Sequence, residues 1–252
     1  MKKTIIIAAA LAAMTACNKS LIEMTPAQEF GTISLGVTAD TEMVVTKAVS
    51  ELDATAAKDY IVTLTGSQKN WEKTYSEITV DDKKMPAGQY TMTAKNISDA
   101  AAIEGNGAMQ LVSPATTVEV KAGDNTDVKL TCSVANSKVT VNFESAFTDV
   151  FTIADEPVVL DPTGRKIDMT PGDHESAEVA WFNDGTTVNW TLTATVKSTG
   201  IEKTYSGSFP AVKAEWNQLT FKAGANGTIS LVIKVDDQIT EVPVEETIDP
   251  LS

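Results

Sequence analysis

The sequence predicts an all-β protein built from two tandem antiparallel β-sandwich domains. Apolar and polar residues alternate with a period of two along most of the chain, and they do so most regularly at 188–196. Short turn-forming segments rich in Gly, Asn, Asp and Pro separate the alternating segments. A strand with one apolar face and one polar face is typical of antiparallel sheets that pack on a core through one side.

The alternation recurs along the chain and predicts one strand after another. Alternating segments lie at 32–37, 60–64, 90–94, 128–134, 139–143, 188–196 and 229–235. Helical patterns are weak, and only 50–58 and 145–151 are expected to hold a turn or two. With 252 residues, 42% of them hydrophobic, the chain is long enough for one large domain or two of ordinary size.

A repeat within the chain favours two domains. The pentapeptide Glu-Lys-Thr-Tyr-Ser at 72–76 recurs at 202–206, and each copy follows a Thr-rich alternating segment and a polar turn. A second strand-like segment follows each copy at nearly the same distance, at 89–94 and at 218–223. Two similarly built domains in tandem are the simplest interpretation of this spacing.

The predicted boundaries follow from this repeat. We expect the first β-sandwich domain at 28–134 and the second at 135–240, with the joint at 135–137. Residues 241–252 contain two prolines and are predicted to be a C-terminal tail, with a loosely held edge strand as the alternative, because proline disfavours regular pairing inside a sheet.

The N-terminus resembles a bacterial lipoprotein signal. Two lysines precede an uncharged apolar run at 5–14, which is too short to span a bilayer because a spanning helix needs about 20 residues. The run leads into Met-Thr-Ala-Cys, which resembles a lipobox whose cysteine becomes the lipidated N-terminus. We predict a signal peptide at 1–16, lipidation of Cys17 and an N-terminal linker at 17–27. An ordinary signal peptide with a chance cysteine is the alternative.

The composition argues against several classes of function. A formal net charge of −14 disfavours nucleic-acid binding, which needs basic surface. The single histidine, His174, is expected in a solvated loop, and no metal-ligand or nucleophile spacing surrounds it. Residues 124–127 offer oxygen ligands for calcium but lack EF-hand spacing, so turn chemistry explains them more simply. Cys132 is expected to be a buried thiol. We predict no enzyme activity, no cofactor and no metal.

Two tryptophans are candidates for a binding site. Trp71 lies beside a polar turn, and Trp181 directly precedes a Phe-Asn-Asp-Gly segment. An exposed indole ring can stack on a sugar, which makes both residues candidate glycan contacts. The alternative for Trp71 is that its ring closes the end of a sandwich, and Trp181 and Phe182 are expected to project one ring to each face of a strand.

The order of short motifs along the chain resembles Bacteroides-type lipoproteins of a domain-of-unknown-function family related to the fimbrillin-like proteins. The motifs are the lipobox at Cys17, the strand-like segment at 30–37, Val-Thr-Lys-Ala at 45–48, Met-Pro-Ala-Gly-Gln-Tyr at 85–90 and Val-Lys-Leu-Thr-Cys at 128–132. The resemblance implies two transthyretin-like β-sandwiches in tandem and a place in fimbriae, at their bases or at their tips.

The resemblance also implies a processing step. In that family a protease can remove the first strand and leave a groove for a strand of the next subunit. By this resemblance Lys47 precedes the cleaved bond, Ala48 becomes the new N-terminus and the strand at 29–38 is released.

The leading hypothesis is a cell-envelope lipoprotein with a structural or adhesive role, as a fimbrial subunit or a fimbria-associated protein. It implies a lipid anchor in the outer membrane, on a face that the sequence leaves open, and other fimbrial or envelope proteins as partners. The alternative is a glycan-binding outer-membrane lipoprotein of a polysaccharide uptake system, with Trp71 and Trp181 as the contacts.

Overall fold

The structure of the chain is a computed structural model, and it describes residues 29–40, 56–97, 104–105, 108–168, 173–224, 228–235, 238–242 and 245–248. The predicted signal peptide, the lipidation site at Cys17 and the processing site at Lys47 and Ala48 lie outside these residues.

The first unit is a single hydrogen-bonded sheet of eight strands around one core. Its strands follow the order β3-β2-β5-β6-β8-β1-β4, and β7 also pairs with β5. Two 3₁₀ turns at Ala56–Asp59 and Tyr75–Glu77 and a four-residue helix α1 at Val80–Lys83 complete the unit. The strands are β1 Phe30–Asp40, β2 Ile61–Gly66, β3 Trp71–Thr74, β4 Lys84–Pro86, β5 Gly88–Lys95, β6 Leu111–Val112, β7 Thr116–Val120 and β8 Asn125–Val134.

The second unit contains two five-stranded sheets around a second core. One sheet has the order β11-β10-β13-β14-β18, and the other has the order β12-β9-β15-β16-β17. A four-residue helix, α2 at Phe147–Val150, lies between the first two strands. The strands are β9 Asn136–Phe143, β10 Phe151–Asp161, β11 Arg165–Ile167, β12 Val179–Asn183, β13 Thr187–Val196, β14 Ile201–Pro210, β15 Trp216–Ala223, β16 Ile229–Val235, β17 Gln238–Val242 and β18 Glu245–Ile248.

The alternation in the sequence matches the burial of side chains in the strands. Along β13, Val188, Trp190 and every second residue up to Val196 are buried in the second core. Along β8, Val128, Leu130 and Cys132 are buried in the first core. The predicted all-β class with β-sandwich architecture is confirmed.

Two strand pairs depart from the antiparallel pattern. β1 runs parallel to β8, and β9 runs parallel to β15. Alternation records which face of a strand is buried, but it carries no information about the direction of the neighbouring strand. Direction is fixed locally only where a short hairpin joins two strands, and neither parallel pair is joined in that way.

Within the predicted C-terminal tail at 241–252, the structure describes residues 241–242 and 245–248, and all six lie in edge strands, the alternative to a tail. β17 extends the sheet beyond β16, and β18 extends the other sheet beyond β14. Pro243 falls between these two strands in the sequence. The segment therefore supplies two edge strands to the second unit.

The repeat Glu-Lys-Thr-Tyr-Ser corresponds to a hairpin that is present in both units, and the similarity between the two copies does not extend beyond this hairpin. The first copy lies at the second strand of the β2–β3 hairpin, where Glu72 pairs with Thr63. The second copy lies in the β13–β14 hairpin, where Glu202 pairs with Thr195. The strands that follow the two copies have different pairing partners. β5 pairs with β2, whereas β15 pairs with β9 and β16.

Candidate functional site: the first strand and its groove

Among the described residues, the strands that pair with β1 are distant from it in sequence. β1 forms nine parallel residue pairs with β8 and three antiparallel pairs with β4, so every ladder partner lies between Lys84 and Ser133. In the part of the chain that the structure describes, no hairpin joins β1 to a neighbouring strand. A single cut in the segment that follows Asp40 therefore turns β1 into a separate peptide held by non-covalent contacts.

The inner face of β1 completes the first core. Ile33, Leu35 and Val37 are buried there, and their ladder neighbours Val128 and Leu130 on β8 are buried in the same core. Full burial of such a side chain contributes about 1.5–3 kcal/mol. Removing β1 would expose an apolar groove and one long unpaired edge of β8.

One edge of β1 is largely open. β4 pairs with residues 30–32 only, and among the described residues no further strand pairs with this edge between Ile33 and Ala39. The hydroxyl of Tyr75 donates a hydrogen bond of 2.8 Å to the carbonyl of Leu35 and partly covers the edge. At the start of the strand, the Lys84 ammonium lies 5.2 Å from the centre of the Phe30 ring, and Phe30 is 41% exposed.

The candidate glycan contacts do not form an exposed platform. Trp71 is partly buried against the first core, and its indole N–H is buried without a hydrogen-bond partner. Trp181 lies on β12 of the second unit but packs against the first core, and its carbonyl accepts a hydrogen bond from the Gly105 N–H at 2.6 Å. Both rings therefore serve as packing residues in this structure, Trp181 between the two units.

His174 lies in a loop with exposed neighbours, as expected, but its ring is not free in solvent. The ring is partly buried, with Nδ1 at 3.0 Å from Thr140 Oγ1 on β9 and Nε2 at 3.0 Å from Thr220 Oγ1 on β15. Thr140 Oγ1 also accepts a hydrogen bond of 2.8 Å from the Trp216 indole N–H. Burial lowers the pKa of His174 to about 4, against an ordinary value of 6.5. The polar sequence around His174 gave no sign that two strand hydroxyls hold the ring.

Cys132 is a core residue, as the sequence predicted. Its side chain is fully buried on β8, and its Sγ lies 3.4 Å from the carbonyl oxygen of Ala94. Burial raises the pKa of the Cys132 thiol to about 11, which leaves very little thiolate at neutral pH. This cysteine has the environment of a packing residue and not that of a nucleophile.

The described part of the chain contains no group of three or more His, Cys, Asp or Glu side chains placed to hold a metal ion. Within the same residues, no helix has the length and apolarity to cross a bilayer.

Comparison with known families and structures gives one match over most of the chain. A family model described as a domain of unknown function, DUF4493, matches residues 29–250, which confirms the predicted kind of family. Comparison with curated proteins gives no match.

Several solved structures match this chain in a structure comparison, at low sequence identity. A fimbrial assembly protein from Parabacteroides distasonis is 10% identical with a TM-score of 0.43, and the match covers 85% of this chain and 98% of that one. A proposed adhesin from Bacteroides ovatus is 11% identical with a TM-score of 0.44, over 85% and 94% of the two chains. A proposed polysaccharide-binding protein from Bacteroides thetaiotaomicron is 11% identical with a TM-score of 0.42, over 84% and 98%.

Proposed function

The chain belongs to the DUF4493 family, and we propose that it is a cell-envelope lipoprotein with a structural or adhesive role, in which β1 is an exchangeable strand. The observation that carries this proposal is the topology of β1. It is the first described strand, it closes the first core, and among the described residues its ladder partners all lie on β8 and β4.

Strand exchange would give this fold a way to bind another subunit. An open groove with an unpaired strand edge is unstable in water, and a strand from another molecule satisfies both the edge and the apolar residues. The incoming strand would recover the nine-pair ladder with β8 that β1 now forms. Contact of this kind requires no catalytic group, which agrees with the packing roles of Cys132 and of both candidate tryptophans.

The proposed processing site lies in the part of the sequence where a cut would free β1. Lys47 and Ala48 follow Asp40, the last residue of β1, by only a few residues. They precede the 3₁₀ turn at Ala56–Asp59, after which the remaining strands of the unit begin. Cleavage there would separate β1 without cutting any other described strand.

The proposed anchor is the lipidated Cys17 in the outer membrane, with other fimbrial or envelope proteins as partners. A single acyl chain holds a protein only marginally in a bilayer, whereas several chains on one cysteine hold it almost permanently. The apolar run followed by Met-Thr-Ala-Cys supports this proposal. The glycan-binding alternative receives no support from Trp71 and Trp181, because both rings are partly buried against the first core.

Mass analysis of the N-terminus in membrane-extracted protein tests the anchor and the processing together. We expect two forms, one that begins with lipidated Cys17 and one that begins with Ala48. A Cys17→Ser variant should lose membrane association, and a Lys47→Gln variant should lack the shorter form. Finding lipidated Cys17 as the N-terminus of all the protein would overturn processing at Lys47, and an unmodified Cys17 would overturn the anchor.

A further inference from the structure

The first strand contains a pentapeptide that occurs twice in the chain. Gly-Thr-Ile-Ser-Leu is found at 31–35 in β1 and again at 227–231, where its last three residues begin β16. All five residues of the first copy have a defined role in the groove between β8 and β4. These roles describe what the groove recognises.

The two apolar residues of the pentapeptide fix which face of the strand points inward. Ile33 and Leu35 are buried in the first core, whereas Thr32 and Ser34 are exposed. A slip of one residue would bury the hydroxyls and expose the aliphatic side chains. A slip of two residues keeps the same faces, so the apolar pattern alone does not fix the register.

The side chain of Asn125 forms hydrogen bonds with both hydroxyls of the pentapeptide. Asn125, the first residue of β8, accepts a hydrogen bond of 3.0 Å from Thr32 Oγ1 at its Oδ1. Its Nδ2 donates a hydrogen bond of 2.8 Å to Ser34 Oγ. A slip of two residues would leave Asn125 opposite only one of these hydroxyls, because residues 30 and 36 are phenylalanine and glycine.

Gly31 requires the same register for steric reasons. A Cβ at Gly31 would lie 2.2 Å from the carbonyl oxygen of Lys121 and 3.0 Å from that of Asp124, and both atoms belong to the backbone. A slip of two residues would place Glu29 or Ile33 at this point. Gly36 is different, because a Cβ there would meet nothing within 4 Å.

The second copy of the pentapeptide fits these requirements. It supplies the same glycine, both hydroxyls and both aliphatic residues, and it continues with Val232 and Ile233. Val232 would take the position of Gly36, where the space is open. Ile233 would take the position of Val37, which points into the core.

We propose that the groove of the first unit selects an incoming strand with the pattern Gly-Thr-apolar-Ser-apolar, an inference that rests on the proposed exchange of β1. Asn125 and the contact at Gly31 set the register of this strand. The partner is therefore an extended segment of that chemistry, and not any apolar strand.

The test uses the full mature chain with a sequence-specific protease site placed after Lys47. After the cut, β1 stays in its groove as a fragment, and a fluorescent peptide of residues 29–40 is added in excess. Fluorescence anisotropy then reports exchange of the fragment for the peptide. One competing peptide carries both Thr32→Val and Ser34→Ala, a second carries Gly31→Ala, and a third carries Gly36→Ala as the matched control. A fourth competitor contains residues 227–236.

We expect the 227–236 peptide to compete and the Gly36→Ala peptide to bind within about twofold of the parent. Loss of the two exposed hydrogen bonds should weaken binding about tenfold, and Gly31→Ala should weaken it at least as much. On a receptor with Asn125→Ala, the difference between the parent and the Thr32→Val, Ser34→Ala peptide should disappear.

The outcomes separate the two proposals. Equal binding of all peptides overturns the selection by pattern and leaves the exchange of β1 standing. Exchange of no peptide overturns the proposed function. In that case the uncut chain still tests the register, because Gly31→Ala should lower its midpoint of unfolding in urea and Gly36→Ala should not. Equal midpoints for these two variants would overturn the role of Gly31.

Discussion

The substitution Ile33→Ala tests whether β1 is an integral part of the first core. Ile33 is 2% exposed and lies among the buried residues of the first unit. The substitution removes three carbons, and a buried methylene contributes about 0.8 kcal/mol, so the transfer free energy alone gives about 2.4 kcal/mol. The cavity left behind adds to this loss, and we expect the free energy of unfolding to fall by about 3 kcal/mol, within the usual range for such changes.

Equilibrium urea unfolding combined with hydrogen exchange read by mass spectrometry measures this loss and locates it. Protection should fall in β8, which pairs with β1, and stay unchanged in β13 of the second core. Val80→Ala is the matched control, because Val80 is an aliphatic residue that is 82% exposed, and its loss should change stability by less than about 0.5 kcal/mol. A loss below about 1 kcal/mol for Ile33→Ala, or an equal effect in both units, would refute this account of β1.

Three further predictions concern the second unit and the core thiol. Gly207→Ala should cost about 1–3 kcal/mol in urea unfolding, because the new Cβ would lie 2.8 Å from the buried Trp190 ring; an unchanged midpoint would contradict this packing. The lowered pKa of His174 means that the unfolded chain takes up the proton first, so stability should fall as the pH drops from 6.5 to about 4. After allowance for the partial exposure of the ring, we expect the free energy of unfolding to fall by about 1–2 kcal/mol over this range. The measurement compares the stability difference between wild type and His174→Gln at the two pH values, and a difference that does not change with pH would contradict the prediction. In a chain with Cys17→Ser, Cys132 should react with a thiol reagent only after denaturation, and fast labelling of the folded protein would contradict its burial.

The sequence predicted the strands well because the alternation of side chains directly reflects burial. Segments such as 188–196 needed no tertiary information, since every second residue faces one core. The directions of β1 and β9 were not predictable in this way, because pairing partners far apart in the sequence decide them.

The candidate site was predicted only in part. The release of the first strand came from a family resemblance, and the residues that define its groove were missed. Asn125 was interpreted as part of a turn, since nothing local shows that its amide lies beside Thr32 and Ser34 of another strand. The recurrence of Gly-Thr-Ile-Ser-Leu was present in the sequence and would have pointed to β1. His174 was missed for the reason that applied to Asn125, because its partners come from two distant strands.

The two copies of the pentapeptide show why topology decides which strand can leave. β16 carries the same Ile-Ser-Leu as β1, but it lies between two strands, with six residue pairs to β15 and five to β17. β1 has a full ladder on one side only, and beyond Thr32 no strand of the described residues pairs with its other edge. β1 has twelve residue pairs in its two ladders and β16 has eleven, so the difference between them lies in the chain connections. β16 follows β15 after five residues and precedes β17 by two, whereas one cut after Asp40 would detach β1 from the strands that follow it. Identical residues therefore stabilise a fixed strand in the second unit and, in our proposal, an exchangeable one in the first.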